Sequence, residues 1–146
     1  LGNVRIVETA EGSKQISAEK LLALLKVNTP GGLSRSIKDF MIGAYGRELG
    51  AETFILFETN SFELAFSGML AWEKTLASDL QTLFPNGRGV FKDAFIKNRD
   101  VRALRDENGI VKILYSFLDS KTFVIAGSED AFLSVLNQFN TGQVAR

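Results

Sequence analysis

The stretch SFELAFSGMLAWEKTLASDLQTLF, residues 61–84, predicts the longest helix of the chain. At about 100° per residue, its apolar side chains fall on one stripe. That stripe consists of Phe62, Phe66, Met69, Leu76, Leu80 and Leu83. Glu73 falls near its middle. A carboxylate facing a core needs a partner or contact with water, so Glu73 is the first candidate for a site.

The flanking segments predict an α+β fold: a mainly antiparallel sheet of about five strands with three to four helices packed mostly on one face. Apolar runs bounded by turn residues predict the strands, with residues 91–97 the weakest of them. They cover residues 4–9, 52–58, 91–97, 101–105, 110–118 and 122–127. Polar capping residues predict where the helices begin, and these are Ser17, Ser34, Asn60 and Ser128. The apolar face predicted for the last helix consists of Phe132, Val135, Leu136 and Phe139. The Asn108-Gly109 pair predicts a tight hairpin turn before the strand at residues 110–118.

The chain has the size and composition of one globular domain over residues 1–146, with 45% hydrophobic residues and 23% charged residues. Because it begins at Leu1 and not at Met, we expect it to be a fragment of a longer protein. No apolar run approaches the roughly 20 residues of a membrane helix. Any membrane attachment would therefore come from a segment outside this sequence.

The residue types that are missing exclude several classes of chemistry. The chain has no cysteine and no histidine. Disulfides, thiolate nucleophiles, cysteine-bound metals and Ser–His–Asp catalysis are therefore excluded. With 17 basic and 17 acidic residues interspersed, the chain also lacks the positive charge typical of nucleic-acid binding. We predict no cofactor, no metal site and no nucleic-acid partner.

Glu73 and its neighbour Trp72 have two competing interpretations that keep Glu73 in the apolar stripe, and in a third a slight rotation of the helix brings Glu73 to the exposed rim. In the first, Glu73 is a desolvated general acid or ligand contact, and Trp72 offers a stacking surface beside it. In the second, which we favour, Glu73 forms a structural ion pair with an arginine of the predicted sheet. The candidate arginines are Arg99, Arg102 and Arg105. If a binding surface exists, we expect it to include Trp72, Glu73, Arg88 in the loop at residues 86–91, and Arg102.

Two long stretches carry a resemblance to a protein family. They are FELAFSGMLAWEKTLASDL at residues 62–80 and FKDAFIKNRDVRALRDENGIVKILYSFLDSKTFVIAGSEDAFLSVL at residues 91–136. The chain resembles uncharacterised membrane-anchored proteins of small-genome candidate-phyla bacteria. The resemblance implies an extracytoplasmic domain that follows a cytoplasmic tail and one membrane helix, and the alternative location is the cytoplasm. It implies no known activity and no catalytic residue.

The functional hypothesis from the sequence is a non-enzymatic interaction module associated with the cell envelope, with a protein partner or self-association. One alternative is a carboxylate-dependent hydrolase-type enzyme centred on Glu73. Another is a subunit of a larger envelope assembly.

Overall fold

The computed structural model describes residues 6–7, 23, 29–44, 53–85 and 87–142. Its strands are β1 (Ile6–Val7), β2 (Ile37–Ala44), β3 (Thr53–Thr59), β4 (Phe91–Ile96), β5 (Arg99–Arg105), β6 (Val111–Phe117) and β7 (Thr122–Ala126). Its helices are α1 (Gly31–Ser36), α2 (Phe62–Trp72), α3 (Leu76–Asp79) and α4 (Glu129–Asn140). Of the helix predicted to begin at Ser17, the structure describes only residue 23, which is helical, and the strand predicted at residues 4–9 is described only at β1.

One sheet contains all the described strands, in the order β1-β2-β3-β7-β6-β5-β4. β1 is parallel to β2, and every other neighbouring pair is antiparallel. The predicted α+β class with a mainly antiparallel sheet is confirmed. The seven strands of the described residues exceed the predicted number of about five.

Successive side chains of a strand point to opposite faces of the sheet. Helices cover both of these faces, so the described part of the chain has two hydrophobic cores. On one face, helices α1 to α3 contribute Leu33, Met69, Trp72 and Leu76 to a core that also contains Phe57 and Phe123. On the other face, α4 packs its apolar side over β3 and β7. That side consists of Phe132, Val135, Leu136 and Phe139, as the sequence predicted. The central strands are buried on both faces, and their sequences are therefore nearly continuous runs of apolar residues.

The helix predicted to begin at Ser34 is wrong. Helix α1 ends at Ser36, and Ile37 already has the extended dihedral angles φ −83° and ψ 121°. Residues Ile37–Ala44 form β2 instead, in which Phe40 and Ile42 face one core and Met41 faces the other. The apolar residues of this stretch fit both periods, and burial between β1 and β3 selects the period of two.

The single long helix is also wrong, because it is interrupted. Helix α2 ends at Trp72, turn residues follow, and the short helix α3 begins at Leu76. The buried side of α2 is Ala65, Gly68, Met69 and Trp72. Phe62 and Phe66, which the predicted stripe placed in the core, are 40% and 39% exposed.

Two of the predicted caps differ from the structure: Ser34 lies inside α1, whose N-cap is Pro30, and the cap of α2 is shifted by one residue. The Ser61 side chain, not that of Asn60, caps α2 by accepting a hydrogen bond from the N–H of Leu64 at 3.2 Å. Ser128 caps α4 as predicted. The predicted hairpin turn joins β5 to β6, and Gly109 in it has a positive φ of 83°, which glycine adopts without strain.

Candidate functional site

Glu73, Arg102 and Tyr115 form a closed hydrogen-bonded group where α2 ends over β5 and β6. Arg102 Nε donates to Glu73 Oε2 at 2.7 Å, and Arg102 Nη2 donates to Oε1 at 2.6 Å. The Tyr115 hydroxyl donates to Oε2 at 2.6 Å. The predicted ion pair between Glu73 and a sheet arginine is therefore confirmed, with Arg102 as the partner. Its two-pronged geometry is the strongest arrangement available to a guanidinium and a carboxylate.

The group connects to the edge of the sheet through Arg102. Its Nη1 donates to Asp93 Oδ1 at 3.0 Å, and its Nη2 lies 3.5 Å from the carbonyl oxygen of Phe91. The side chain of Glu73 is 13% exposed and that of Arg102 is 24% exposed, whereas that of Asp93 is 91% exposed. The pair with Glu73 is thus partly shielded from water, and the contact with Asp93 lies in solvent.

This environment shifts two pKa values in the same direction. The hydrogen bond from Arg102 to Glu73 raises the pKa of the guanidinium further above its usual range. Burial raises the pKa of the Tyr115 phenol, and the hydrogen bond to Glu73 adds to that rise. The phenol and the guanidinium therefore keep their protons as hydrogen-bond donors, and the group is a fixed structural unit at neutral pH.

Trp72 does not present its ring to solvent, so its predicted role as a surface for stacking is wrong. The side chain is 1% exposed. Its indole N–H donates to Asp79 Oδ2 at 2.7 Å, and the Thr75 hydroxyl donates to the same oxygen at 2.9 Å. Trp72 therefore ties the end of α2 to α3. A buried indole requires such a partner.

Arg88 is exposed in the loop before β4. It belongs neither to the Glu73 group nor to the lining of the groove that opens beside that group. The structure thus brings Glu73 and Arg102 together, buries Trp72 beside them and leaves Arg88 apart. Sequence reasoning missed Tyr115, which lies directly opposite Arg102 in the β5–β6 register. A register shift between Leu104 and Arg105 prevents this pair from being found by counting back from the turn.

A groove of about 1130 Å³ opens beside the Glu73 group, between α2 and the β4–β5 hairpin. We call it the aromatic groove. Its lining includes Phe62, Phe66, Phe95, Phe117, Asp93, Asp100, Arg102 and Tyr115. Phe62 and Phe66 stack on each other with ring centroids 5.6 Å apart, and both meet the ring of Phe117 edge-on. Phe95 on β4 is 66% exposed.

The groove was not predicted, because the sequence placed Phe62 and Phe66 in the core. One feature of the sequence could have indicated the groove. In α2, Phe62, Phe66 and Leu70 form a second apolar stripe at intervals of four residues. A helix with apolar residues on both sides is covered on both sides in a globular protein. The exposed stripe therefore marks a surface suited to further contact.

No protein-family model matches the chain, and no curated protein matches it either. In the part of the chain that the structure describes, no group of three or more acidic side chains is placed to hold a metal ion. Within the same residues, no helix has both the length and the apolar character needed to cross a membrane.

Proposed function

We propose that this domain is a non-enzymatic protein-interaction module that receives its partner in the aromatic groove. The observation that carries the proposal is the exposure of three phenylalanines, Phe62, Phe66 and Phe95, around one concave surface. Aromatic side chains are enriched at protein interfaces, where they contribute large contact areas at low entropic cost. Isolated exposed apolar residues are ordinary, but a cluster lining a groove is typical of a binding surface.

The size of the groove favours a macromolecular partner. Pockets for small molecules have volumes of about 300–1,000 Å³ and enclose most of the ligand. This groove, at about 1130 Å³, is larger and lies open between a helix and a hairpin.

The geometry of Glu73 gives little support to the alternative of carboxylate catalysis. Both of its oxygens accept short hydrogen bonds, from Arg102 and from Tyr115. A general acid or base must be within reach of a substrate proton, and these contacts occupy the oxygens. We infer that Glu73 orients Arg102 at the floor of the groove.

The proposal includes display outside the cytoplasmic membrane. Its support is the resemblance of residues 62–80 and 91–136 to membrane-anchored proteins of candidate-phyla bacteria. A membrane anchor would belong to the full-length protein and lie outside the present sequence.

Site-specific photo-cross-linking tests the proposal. A benzophenone amino acid replaces Phe95 in the full-length protein in cells that produce it, and the matched control carries the same group at Ile110. Ile110 is also an exposed apolar residue, but it lies in the β5–β6 turn region and does not line the groove. We expect an adduct of one discrete mass from position 95 only. Equal labelling at both positions, or none at position 95, contradicts the proposal.

Phe62→Ser provides a second arm of this experiment. The substitution removes one wall of the groove at a side chain that is already 40% exposed, and we expect it to abolish the adduct at position 95. A circular dichroism spectrum that matches the parent protein shows that the fold is retained. An adduct that persists at full intensity would place the partner elsewhere.

A further inference from the structure

Strand β4 is an edge of the sheet. Its hydrogen-bonded neighbour is β5, and among the described residues no other strand pairs with it. Edge strands carry main-chain N–H and C=O groups that can pair with another chain. In β4 the exposed aromatic ring of Phe95 lies at this edge, so the edge has both polar groups and an apolar contact to offer.

The hairpin turn determines which main-chain groups point outward. Lys97 and Asn98 form a two-residue turn with φ angles of 52° and 63°, as in a type I′ hairpin. Ile96 and Arg99 then form the hydrogen-bonded pair that closes the turn, and the pattern alternates along the strands. The N–H and C=O groups of Asp93 and Phe95 therefore point away from β5, toward the free edge.

The side chains of the same two residues line the aromatic groove. Residues that are directly opposite in neighbouring strands have side chains on the same face. A segment that pairs with Asp93 and Phe95 therefore directs alternate side chains into the groove. The free edge and the groove form one continuous surface.

The charge of the lining selects the kind of segment. Its charged side chains are Asp93, Asp100, Asp119, Arg99 and Arg102. Arg102 pairs with both Glu73 and Asp93, and Arg99 keeps its positive charge, because its hydrogen bond of 2.8 Å goes to the neutral carbonyl oxygen of Leu118. With Glu73 counted, four carboxylates face two guanidinium groups, so the groove has an excess of negative charge beside its phenylalanines. Cationic side chains fit both features, because they pair with carboxylates and are attracted to aromatic faces.

Building on the proposed function of the groove, we propose that the partner contributes an extended, basic segment that pairs with β4 as an additional strand. The main chain of this segment bonds to the outward groups of Asp93 and Phe95. Its alternate lysine or arginine side chains enter the groove, where they meet Asp93 and Asp100. This is recognition by strand addition, in which main-chain bonds supply affinity and alternate side chains supply specificity.

Selection from a random dodecapeptide phage library on the purified domain tests this inference. We expect the enriched peptides to carry lysine or arginine at every second position. A synthetic peptide of the consensus should protect the amides of Asp93 and Phe95 from hydrogen exchange. The same peptide N-methylated at the residues that pair with β4 should bind at least about tenfold more weakly, because two or more main-chain hydrogen bonds are lost.

Charge is tested by one substitution and its control. Asp100→Asn should weaken the peptide about threefold, and raising NaCl from about 0.05 M to about 0.5 M should weaken it further. Asp130→Asn is the matched control, because Asp130 is exposed on α4 on the opposite face of the sheet. It should leave the affinity unchanged.

The possible outcomes separate this inference from the function on which it rests. An acidic or helical consensus, no enrichment, or an N-methylated peptide of full affinity overturns strand addition by a basic segment. If position 95 still gives a discrete cross-link in the full-length protein, the interaction function stands with another type of partner. If position 95 gives no cross-link, the proposed function itself fails.

Discussion

The substitution Glu73→Gln isolates the contribution of one charge, because it preserves the size of the side chain and one acceptor oxygen. Arg102 loses its more buried partner, since the Glu73 side chain is 13% exposed and that of Asp93 is 91% exposed. Tyr115 can still donate to the amide oxygen. The expected defect is therefore a loss of stability through the Arg102 guanidinium.

The magnitude follows from the position of the pair between surface and core. Breaking a fully buried pair costs about 3–5 kcal/mol, whereas an exposed pair contributes about 0.2–1 kcal/mol. Arg102 is 24% exposed and retains Asp93, so we expect the free energy of unfolding to fall by about 2 kcal/mol. For a domain of this size, that corresponds to a decrease in Tm of about 4–8 °C.

Urea denaturation followed by tryptophan fluorescence measures this change. Trp72 is the one tryptophan of the chain and is buried, so its emission reports global unfolding. Glu107→Gln is the matched control, because Glu107 is exposed in the β5–β6 turn, and it should change the free energy of unfolding by less than about 0.5 kcal/mol.

A double-mutant cycle with Arg102→Met then assigns the loss to the pair. We expect Arg102→Met to cost less in the Glu73→Gln background than in the parent protein. An unchanged free energy of unfolding in Glu73→Gln, or additive effects in the cycle, would refute the structural role of this pair.

Three further variants have defined outcomes in the same urea assay. Gly68→Ala should destabilise by about 1–3 kcal/mol, because its Cβ would lie 2.5 Å from Leu33 Cβ and 3.0 Å from Leu33 Cα. Replacing Lys97 by Asn together with Asn98 by Gly should stabilise by about 0.5–1 kcal/mol, since both positions have positive φ. Because the pKa of Tyr115 is raised on folding, the free energy of unfolding should fall above about pH 10, where the unfolded phenol loses its proton. Tyr115→Phe should reduce that slope.

Each of these predictions has a control or a contradicting result. Gly31→Ala should be tolerated, because among the described residues its Cβ would come close only to the flexible end of Arg35, at 3.4 Å. Similar losses for Gly31→Ala and Gly68→Ala would contradict the steric argument. A double turn variant less stable than its parent would contradict the type I′ assignment. Equal alkaline slopes for Tyr115→Phe and its parent would show that this phenol does not titrate differently in the two states.

The elements that the sequence predicted correctly are those determined by local patterns. Strand β3 is a run of apolar residues bounded by polar ones, and α4 combines a serine cap with apolar residues at helical spacing. The β5–β6 hairpin depends on its Asn-Gly turn. In each case the residues that decide the structure are within a few positions of one another.

The errors occur where distant residues decide the structure. Residues Ile37–Ala44 fit both a helix and a strand, and pairing with β3 on one side and β1 on the other makes them a strand. At the break after α2, Trp72 bonds to Asp79 and Glu73 bonds to Arg102. The helical period around Glu73 carries no information about Arg102, which lies 29 positions farther along the sequence.

By itself the sequence determined the α+β class, most strands, the serine-capped last helix and the absence of histidine and cysteine chemistry. It also placed a carboxylate, Glu73, among apolar residues, where a charge requires a partner or contact with water. Only the tertiary structure decided that Arg102 is that partner, that Trp72 is buried and that Phe62 and Phe66 face a groove. The physical reason is the same in each case. Periodicity shows that a side chain is apolar and where it lies on its own element, whereas burial depends on what the rest of the chain places against it.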